Sequence, residues 1–165
     1  MTDIRVRAAR PADRTWILPL APRLHDFGPP PWRPRDQMDR AVSEAIDRAL
    51  TAPPEGSVVL VAEDAEGRPL GFIHLETQRD FFTHEPHGHV SDLVVAEPGE
   101  GQGVGRRLMA AAEDWTRERG FRLLSLNVFG RNERARRLYE RLGYQPDTTR
   151  MIKDLGGGER GPGGS

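Results

Sequence analysis

Glycines are concentrated in the second half of the chain, at a point where a predicted strand meets a predicted helix. The segment runs Glu100-Gly101-Gln102-Gly103-Val104-Gly105-Arg106. Glycines let successive backbone N–H groups turn toward one point, and a helix N-terminus adds partial positive charge there. The segment therefore predicts a pyrophosphate site, although a glycine-rich turn without a ligand stays an alternative if the segment is taken alone. It is not a P-loop, because no Gly-Lys-Ser/Thr follows.

The side chains that the sequence lacks also limit its chemistry. The chain has no cysteine, which excludes disulfides, thiolate metal sites and an acyl-cysteine intermediate. His84, His87 and His89 lie near Glu85, but their spacing is no recognised zinc pattern. We therefore predict no metal site.

A second motif occupies residues 126–144. After a predicted strand it has the pattern Asn-x-x-Ala-x-x-Leu-Tyr-x-x-Leu-Gly-Tyr, which begins at Asn132. This segment resembles the C-terminal motif of the GNAT superfamily of acyl-CoA-dependent N-acyltransferases. Residues 90–109 resemble the acyl-CoA motif of the same family, with its Gln/Arg-x-x-Gly-x-Gly/Ala loop. Together the two motifs cover residues 90–144, about a third of the chain.

The resemblance implies acetyl-CoA as co-substrate and assigns residues to bind it. Backbone amides would hold the pyrophosphate at Gly101, Gln102, Gly103, Val104, Gly105 and Arg106. The strand at Leu93, Val94 and Val95 would pair with the pantetheine arm, and the amide near Leu93 would stabilise the reaction's oxyanion. Asn132 matches a position that often contacts CoA, and it can cap the last helix at the same time.

One residue departs from the family pattern. Glu100 stands where the family usually has Gln or Arg. A carboxylate beside a pyrophosphate is unfavourable unless it points away or pairs with an arginine. The backbone amides that would bind the pyrophosphate do not depend on this side chain, so we expect acetyl-CoA to bind. Arg106 or Arg107 would then supply positive charge.

Tyr139 matches the tyrosine that the family often uses as general acid, and it would protonate the departing CoA thiolate. A phenol, with an ordinary pKa of about 10, is protonated at neutral pH and can donate to a sulfur anion. The alternative is a core aromatic residue on the buried face of the last helix.

The base that deprotonates the amine has three candidates. His89 falls where some relatives carry a catalytic glutamate or histidine, and its ordinary pKa, near 6.5, suits base chemistry at pH 7. In a regular strand Asp92 would point to the opposite face from His89, but a bulge could exchange the faces. A water relay with a structural His89 is the third alternative.

The helices and strands that must position these residues are predicted from the periodic spacing of apolar side chains. The resemblance and this order of elements both predict an α/β (α+β layered) domain, and the resemblance adds a mixed, mostly antiparallel sheet, a splayed pair of strands and helices on both faces. The predicted strands are residues 4–8, 57–63, 70–77, 90–95, 124–128 and 148–155. The predicted helices begin at Pro11 (broken by Pro19 and Pro22), Asp36, Val104 and Asn132. An irregular link is predicted over residues 81–88.

Length and composition limit the number of domains and the classes of partner that the chain could bind. We expect one domain over residues 1–155 and a mobile glycine-rich tail over residues 156–165. A net charge of −1 favours neither nucleic acid nor an anionic membrane. The N-terminus is charged and lacks a signal sequence, and no apolar run approaches the roughly 20 residues of a membrane span, so a cytoplasmic location is expected. Family members are often homodimers, which adds a homodimer to the expectations.

Three functions fit the sequence. The leading one is an N-acetyltransferase in which a small-molecule or peptide primary amine attacks acetyl-CoA directly in a ternary complex. The second is a non-catalytic acyl-CoA-binding or sensing module, supported by Glu100. The third is a protein-interaction domain that uses the proline-rich stretch at residues 28–34; more simply, that stretch is a rigid loop over the acceptor site.

Overall fold

Five strands form one sheet in the order β1-β2-β3-β4-β5 in the computed structural model, which describes residues 3–156. The strands are β1 (Arg5–Ala8), β2 (Val58–Glu63), β3 (Pro69–Arg79), β4 (Pro86–Val95) and β5 (Leu124–Leu126). β1 to β4 pair antiparallel, and β4 pairs with β5 parallel. The predicted mixed, mostly antiparallel sheet is confirmed.

Four α-helices surround this sheet: α1 (Arg14–Leu20), α2 (Arg35–Thr51), α3 (Val104–Glu118) and α4 (Glu133–Arg141). The predicted break at Pro22 is confirmed, because α1 ends at Leu20 and a 3-10 turn begins just before Pro22. The predicted break at Pro19 is wrong, because Pro19 lies inside α1. Asn132 caps α4 as predicted, since its side-chain oxygen accepts from the Ala135 N–H at 3.2 Å.

Apolar side chains fill both faces of the sheet, as predicted. We call the cluster beneath α3 the α3 core; its buried members are Ala62, Leu70, Ile73, Leu75, Val90, Val104, Leu108, Met109 and Ala112. The other face carries the α1–α2 core, whose buried members are Ile17, Ala21, Ile46, Ala49, Val59, Val61, Phe72 and Val94. Strands covered on both faces need apolar residues in succession, which explains why β2 and β3 lack clean alternation.

Two predicted segments differ from the structure. The last strand, predicted over residues 148–155, is wrong: no helix or strand is assigned between residue 143 and the end of the described chain at residue 156. Its apolar side chains, Met151, Ile152 and Leu155, are exposed and give the segment no face to bury. The irregular link is also shorter than predicted, because β4 begins at Pro86, and proline is tolerated at the first residue of a strand. Most of the predicted tail, residues 157–165, lies outside the described residues.

The α1–α2 core should determine much of the stability, and Ile46 tests this. Its side chain is fully buried, so Ile46→Ala should lower the free energy of unfolding by about 2–5 kcal/mol and the melting temperature by roughly 10 °C. Ile152→Ala is a matched control at an exposed position and should change stability by less than about 0.5 kcal/mol. Thermal unfolding followed by circular dichroism measures both, and equal losses would contradict the assignment of this core.

Candidate active site

β4 and β5 separate soon after they meet. They pair over three residues only, Gly88 with Leu124, His89 with Ser125 and Val90 with Leu126. β4 then continues to Val95, whereas β5 ends. The space beyond the last pair, which we call the gap, lies beside an edge of β4 that no strand covers. The predicted splayed pair of strands is confirmed.

The backbone groups that face the gap can be identified from the ladder. Residues of an antiparallel strand alternately turn their N–H and C=O groups toward and away from the partner strand. The Ala96 N–H donates to the Leu70 carbonyl at 2.8 Å, so Val94 also turns toward β3. Leu93 and Val95 therefore turn their backbone groups into the gap. Such groups need partners, and the amides of an extended ligand can supply them.

The glycine loop, residues 100–106, connects β4 to α3 at one end of the gap. Gly101 and Gly103 have φ angles of +73° and +77°, which residues with a side chain rarely adopt, and no atom lies within 4 Å of where a Cβ would stand. Gly103 is the N-cap of α3 and gives no side-chain cap to the first turn. The first-turn amides and the helix dipole thus face open space, an arrangement that fits a pyrophosphate.

Glu100 does pair with an arginine, but one that the sequence did not suggest. Arg23, in the 3-10 turn after α1, donates through Nη2 to the Glu100 carboxylate and through Nε to the Val95 carbonyl at 3.1 Å. Arg106 and Arg107, the expected sources of charge, are exposed. No local pattern could have identified Arg23, because the two partners lie 77 residues apart.

Tyr139 lies on α4, where its ring packs against the α3 core. It meets Tyr144 edge to face, with the ring centroids 6.1 Å apart. The Tyr144 hydroxyl donates to the Glu113 carboxylate at 3.2 Å, whereas the Tyr139 hydroxyl has no hydrogen-bond partner within residues 3–156. Burial raises the pKa of Tyr139 to about 12, so the phenol stays protonated at neutral pH and keeps its proton available.

A β-bulge rearranges the candidate bases. The neighbours His74 and Leu75 of β3 pair with Asp92 and Val90 of β4, which leaves Ser91 as an extra residue. Residues directly opposite in antiparallel strands share a face, and Glu76 lies opposite His89. His74, Glu76, His89 and Asp92 therefore all lie on the α1–α2 face. The regular-strand prediction for Asp92 is wrong, and the bulge alternative is the one that the structure contains.

These four side chains, together with Ser91 and Ser125, form a polar cluster within the sheet. His74 Nδ1 lies 3.2 Å from Asp92 Oδ2, and His74 Nε2 lies 3.8 Å from Glu76 Oε1. The Ser91 hydroxyl donates to Glu76 at 2.6 Å. Sequence reasoning missed His74 and Glu76, although His74 was detectable as a polar residue that interrupts an apolar run in β3.

His89 is held by β5 and is buried. Its Nδ1 lies 2.8 Å from the Ser125 hydroxyl, which leaves Nε2 as the second ring nitrogen. Burial lowers the pKa of His89 below its ordinary value of 6.5, and the nearby Glu76 carboxylate opposes this effect only in part. A neutral imidazole at pH 7 can accept a proton.

The proline-rich loop contacts the segment that follows β5. Phe27 stacks on Phe129 with the ring centroids 5.1 Å apart, and the guanidinium of Arg33 lies 5.8 Å from the centre of the same ring. The guanidinium of Arg131 lies 6.0 Å from the centre of the Trp32 ring. Residues 27–33 are thus held against the chain by aromatic and cation–π contacts.

Two further classes of site can be described for residues 3–156. No group of three or more His, Asp or Glu side chains there has the arrangement needed to hold a metal ion. No helix in this part of the chain is both long enough and apolar enough to cross a membrane.

A solved structure with this fold contains CoA. The aminoglycoside N-acetyltransferase AAC(6')-Iy in complex with CoA superposes with a TM-score of 0.69 and 19% identity, over 94% of this chain and 96% of that one. At this level of identity the likeness establishes the fold alone.

Sequence comparison establishes the family. An uncharacterized N-acetyltransferase of Bacillus subtilis, YhfO, is 31% identical over 145 residues, which are 88% of this chain and 92% of the relative. The aminoglycoside N(6')-acetyltransferase type 1 of Stenotrophomonas maltophilia is 27% identical over 154 residues, 89% of each chain. The model of the acetyltransferase (GNAT) family matches residues 21–144. The chain therefore belongs to the acetyltransferase (GNAT) family and is an acyl-CoA-dependent N-acyltransferase.

Proposed function

We propose that the chain transfers the acetyl group of acetyl-CoA to a primary amine by direct attack in a ternary complex. The observation that carries this proposal is the open edge of β4, which leads to the uncapped N-terminus of α3. An extended thioester with an anionic end fits such a site, since the edge offers backbone partners and the helix offers positive potential. The absence of cysteine supports direct attack over an acyl-cysteine intermediate.

In this proposal the pantetheine arm pairs with Leu93 and Val95, the two residues that turn their backbone groups into the gap. Val94 flanks them but directs its own backbone groups to β3. The pyrophosphate accepts hydrogen bonds from amides of the glycine loop, Gly101 to Arg106, at the start of α3. The Gln102 N–H already donates to the Gly99 carbonyl at 3.3 Å, so Gln102 would have to give up this bond to contribute. Asn132 contacts CoA from the N-terminus of α4 while it caps that helix.

The chemistry requires two proton transfers around one acyl transfer. The neutral amine attacks the thioester carbonyl carbon, and the oxyanion that forms accepts a hydrogen bond from the Leu93 N–H. The C–S bond then breaks, and Tyr139 protonates the thiolate. His89 takes the proton that the amine loses, with Asp92 as the second candidate because the bulge brings it to the same face.

The polar cluster favours a cationic acceptor. Asp92 and Glu76 place two carboxylates beside His89, and a protonated amine is attracted to such a position before it is deprotonated. One relative is named for acetylation of aminoglycosides, which carry several amines. We infer that the acceptor is a primary amine on a small molecule or peptide.

The non-catalytic alternative has less support than the enzyme. It depended on Glu100, whose carboxylate is paired with Arg23 rather than left free beside the pyrophosphate. The interaction-domain alternative depended on the proline-rich loop, whose Arg33 guanidinium lies over the Phe129 ring of the same chain.

Acetyl-CoA binding is the first test. Acetyl-CoA at 100 times its Kd should add about 2.7 kcal/mol to the free energy of unfolding and raise the melting temperature by roughly 5–10 °C. Thiol release with kanamycin, spermidine or a peptide with a free N-terminus then tests for transfer. A melting temperature that stays constant at millimolar acetyl-CoA would overturn the proposal, while binding without thiol release in a broad amine panel would favour the non-catalytic module.

Tyr139→Phe should separate acid catalysis from binding. Because the phenol would donate only as the thiolate leaves, kcat should fall on the order of 10²-fold while the Kd for acetyl-CoA changes little. Tyr144→Phe is a matched control, since its hydroxyl bonds to Glu113, and it should keep kcat within a few-fold of the wild-type value. Steady-state kinetics and calorimetric binding measure the two quantities, and an equal loss in kcat and affinity would remove Tyr139 as the acid.

His89→Gln tests the base through its pH dependence. Because burial lowers the pKa of His89, the wild-type enzyme should keep its base unprotonated at neutral pH and lose kcat/KM only at more acidic pH. The variant should be slower at pH 7 and should lack this acidic limb. His84→Gln, at an exposed loop position, should keep the wild-type profile. An acidic limb that persists in His89→Gln would transfer the role to Asp92 or to a water relay.

A further inference from the structure

We propose that Arg23 is a positioning residue for the cofactor: it holds and neutralises Glu100, so that the glycine loop can accept a pyrophosphate despite its acidic first residue. This inference rests on the proposed use of acetyl-CoA. It assigns a role to a residue that lies outside both sequence motifs, and it explains how the chain tolerates its departure from the family pattern.

Arg23 is held in place by a well-anchored turn. The 3-10 turn Ala21–His25 buries Ala21 in the α1–α2 core. His25 is also buried, and its Nδ1 lies 2.6 Å from the Asp39 carboxylate of α2. The turn is thus fixed on both sides of Arg23, which directs that side chain toward β4.

The guanidinium bridges the open edge of β4 and the glycine loop. Its Nε donates to the Val95 carbonyl at 3.1 Å, and its Nη2 donates to Glu100. A guanidinium is planar and presents its donors in a rigid fork, so two simultaneous bonds determine its orientation and that of the carboxylate it holds. The Glu100 carboxylate therefore has a fixed partner in Arg23 of the 3-10 turn.

The electrostatic consequence concerns ligand binding more than stability. The side chains of Arg23 and Glu100 are 33% and 40% exposed, and an ion pair with this much exposure contributes little to the free energy of unfolding. An unpaired carboxylate at the same place would repel a pyrophosphate on the adjacent loop, and like charges in contact are strongly unfavourable. Pairing offsets the charge of Glu100, so the positive end of α3 and the exposed Arg106 and Arg107 dominate the local field.

A double-mutant cycle that removes the two charges tests this role by calorimetric titration of CoA. Arg23→Met leaves Glu100 unpaired and should weaken CoA binding on the order of tenfold, with the loss shrinking as salt is raised. Glu100→Gln should bind CoA at least as tightly as the wild type. The double variant Arg23→Met/Glu100→Gln removes both charges and should bind within a few-fold of the wild type. Arg14→Met breaks an ion pair between α1 and α2 and should leave CoA affinity unchanged.

A second ligand separates charge from structure. S-acetyl-pantetheine lacks the pyrophosphate, so it should bind the wild type and Arg23→Met alike. An equal loss for this ligand and for CoA would mean that Arg23 acts through Val95, and it would overturn the proposed neutralisation. Melting temperatures without ligand check that each variant folds. If Arg23→Met does not fold, the CoA affinity of Glu100→Gln tests the same proposal.

The outcomes distinguish this inference from the proposed function. If the wild type binds CoA and Arg23→Met binds it equally well, the role of Arg23 is overturned while acetyl-CoA use stands. A double variant as weak as Arg23→Met also overturns it. If the wild type and every variant fail to bind CoA, both proposals fall.

Discussion

The three-residue pairing of β4 and β5 is the constraint on which the site depends. Past Val90 the edge of β4 has no neighbouring strand, and the half-buried Leu93 and Val95 turn backbone groups into the gap. The Val95 carbonyl accepts from Arg23, and in the proposed function the pantetheine arm supplies partners for the other backbone groups that face the gap. The glycine loop and the start of α3 lie at one end of it, and the polar cluster lies near the point of separation.

The bulge at Ser91 determines which polar side chains β4 presents on the α1–α2 face. Without this extra residue, His89 and Asp92 would point to opposite faces of β4. With it, both join His74 and Glu76 on the α1–α2 face, and the Ser91 hydroxyl holds Glu76 by a bond of 2.6 Å. One irregularity in the ladder thus assembles the polar cluster.

Local pattern was sufficient for most of the helices and strands and for the motifs, and insufficient for contacts between distant residues. The glycine loop and the Asn132 cap are local features, and both could be predicted. The Ser91 bulge depends on register with β3, and the Arg23–Glu100 pair joins residues 77 apart, so neither has a sequence signature. Residues 148–155 were mistaken for a strand because short apolar spacing carries no information on whether a partner exists. The site roles, the homodimer and the acceptor stay predictions.

The N-terminal region connects the two sides of the gap. The turn that carries Arg23 bonds to the edge of β4, and the loop after it stacks Phe27 on Phe129, which follows β5. The separation of β4 and β5 is therefore bounded by elements that precede both sequence motifs. A substitution in residues 21–33 can change the acceptor side and the cofactor side together, because the same short segment contacts both.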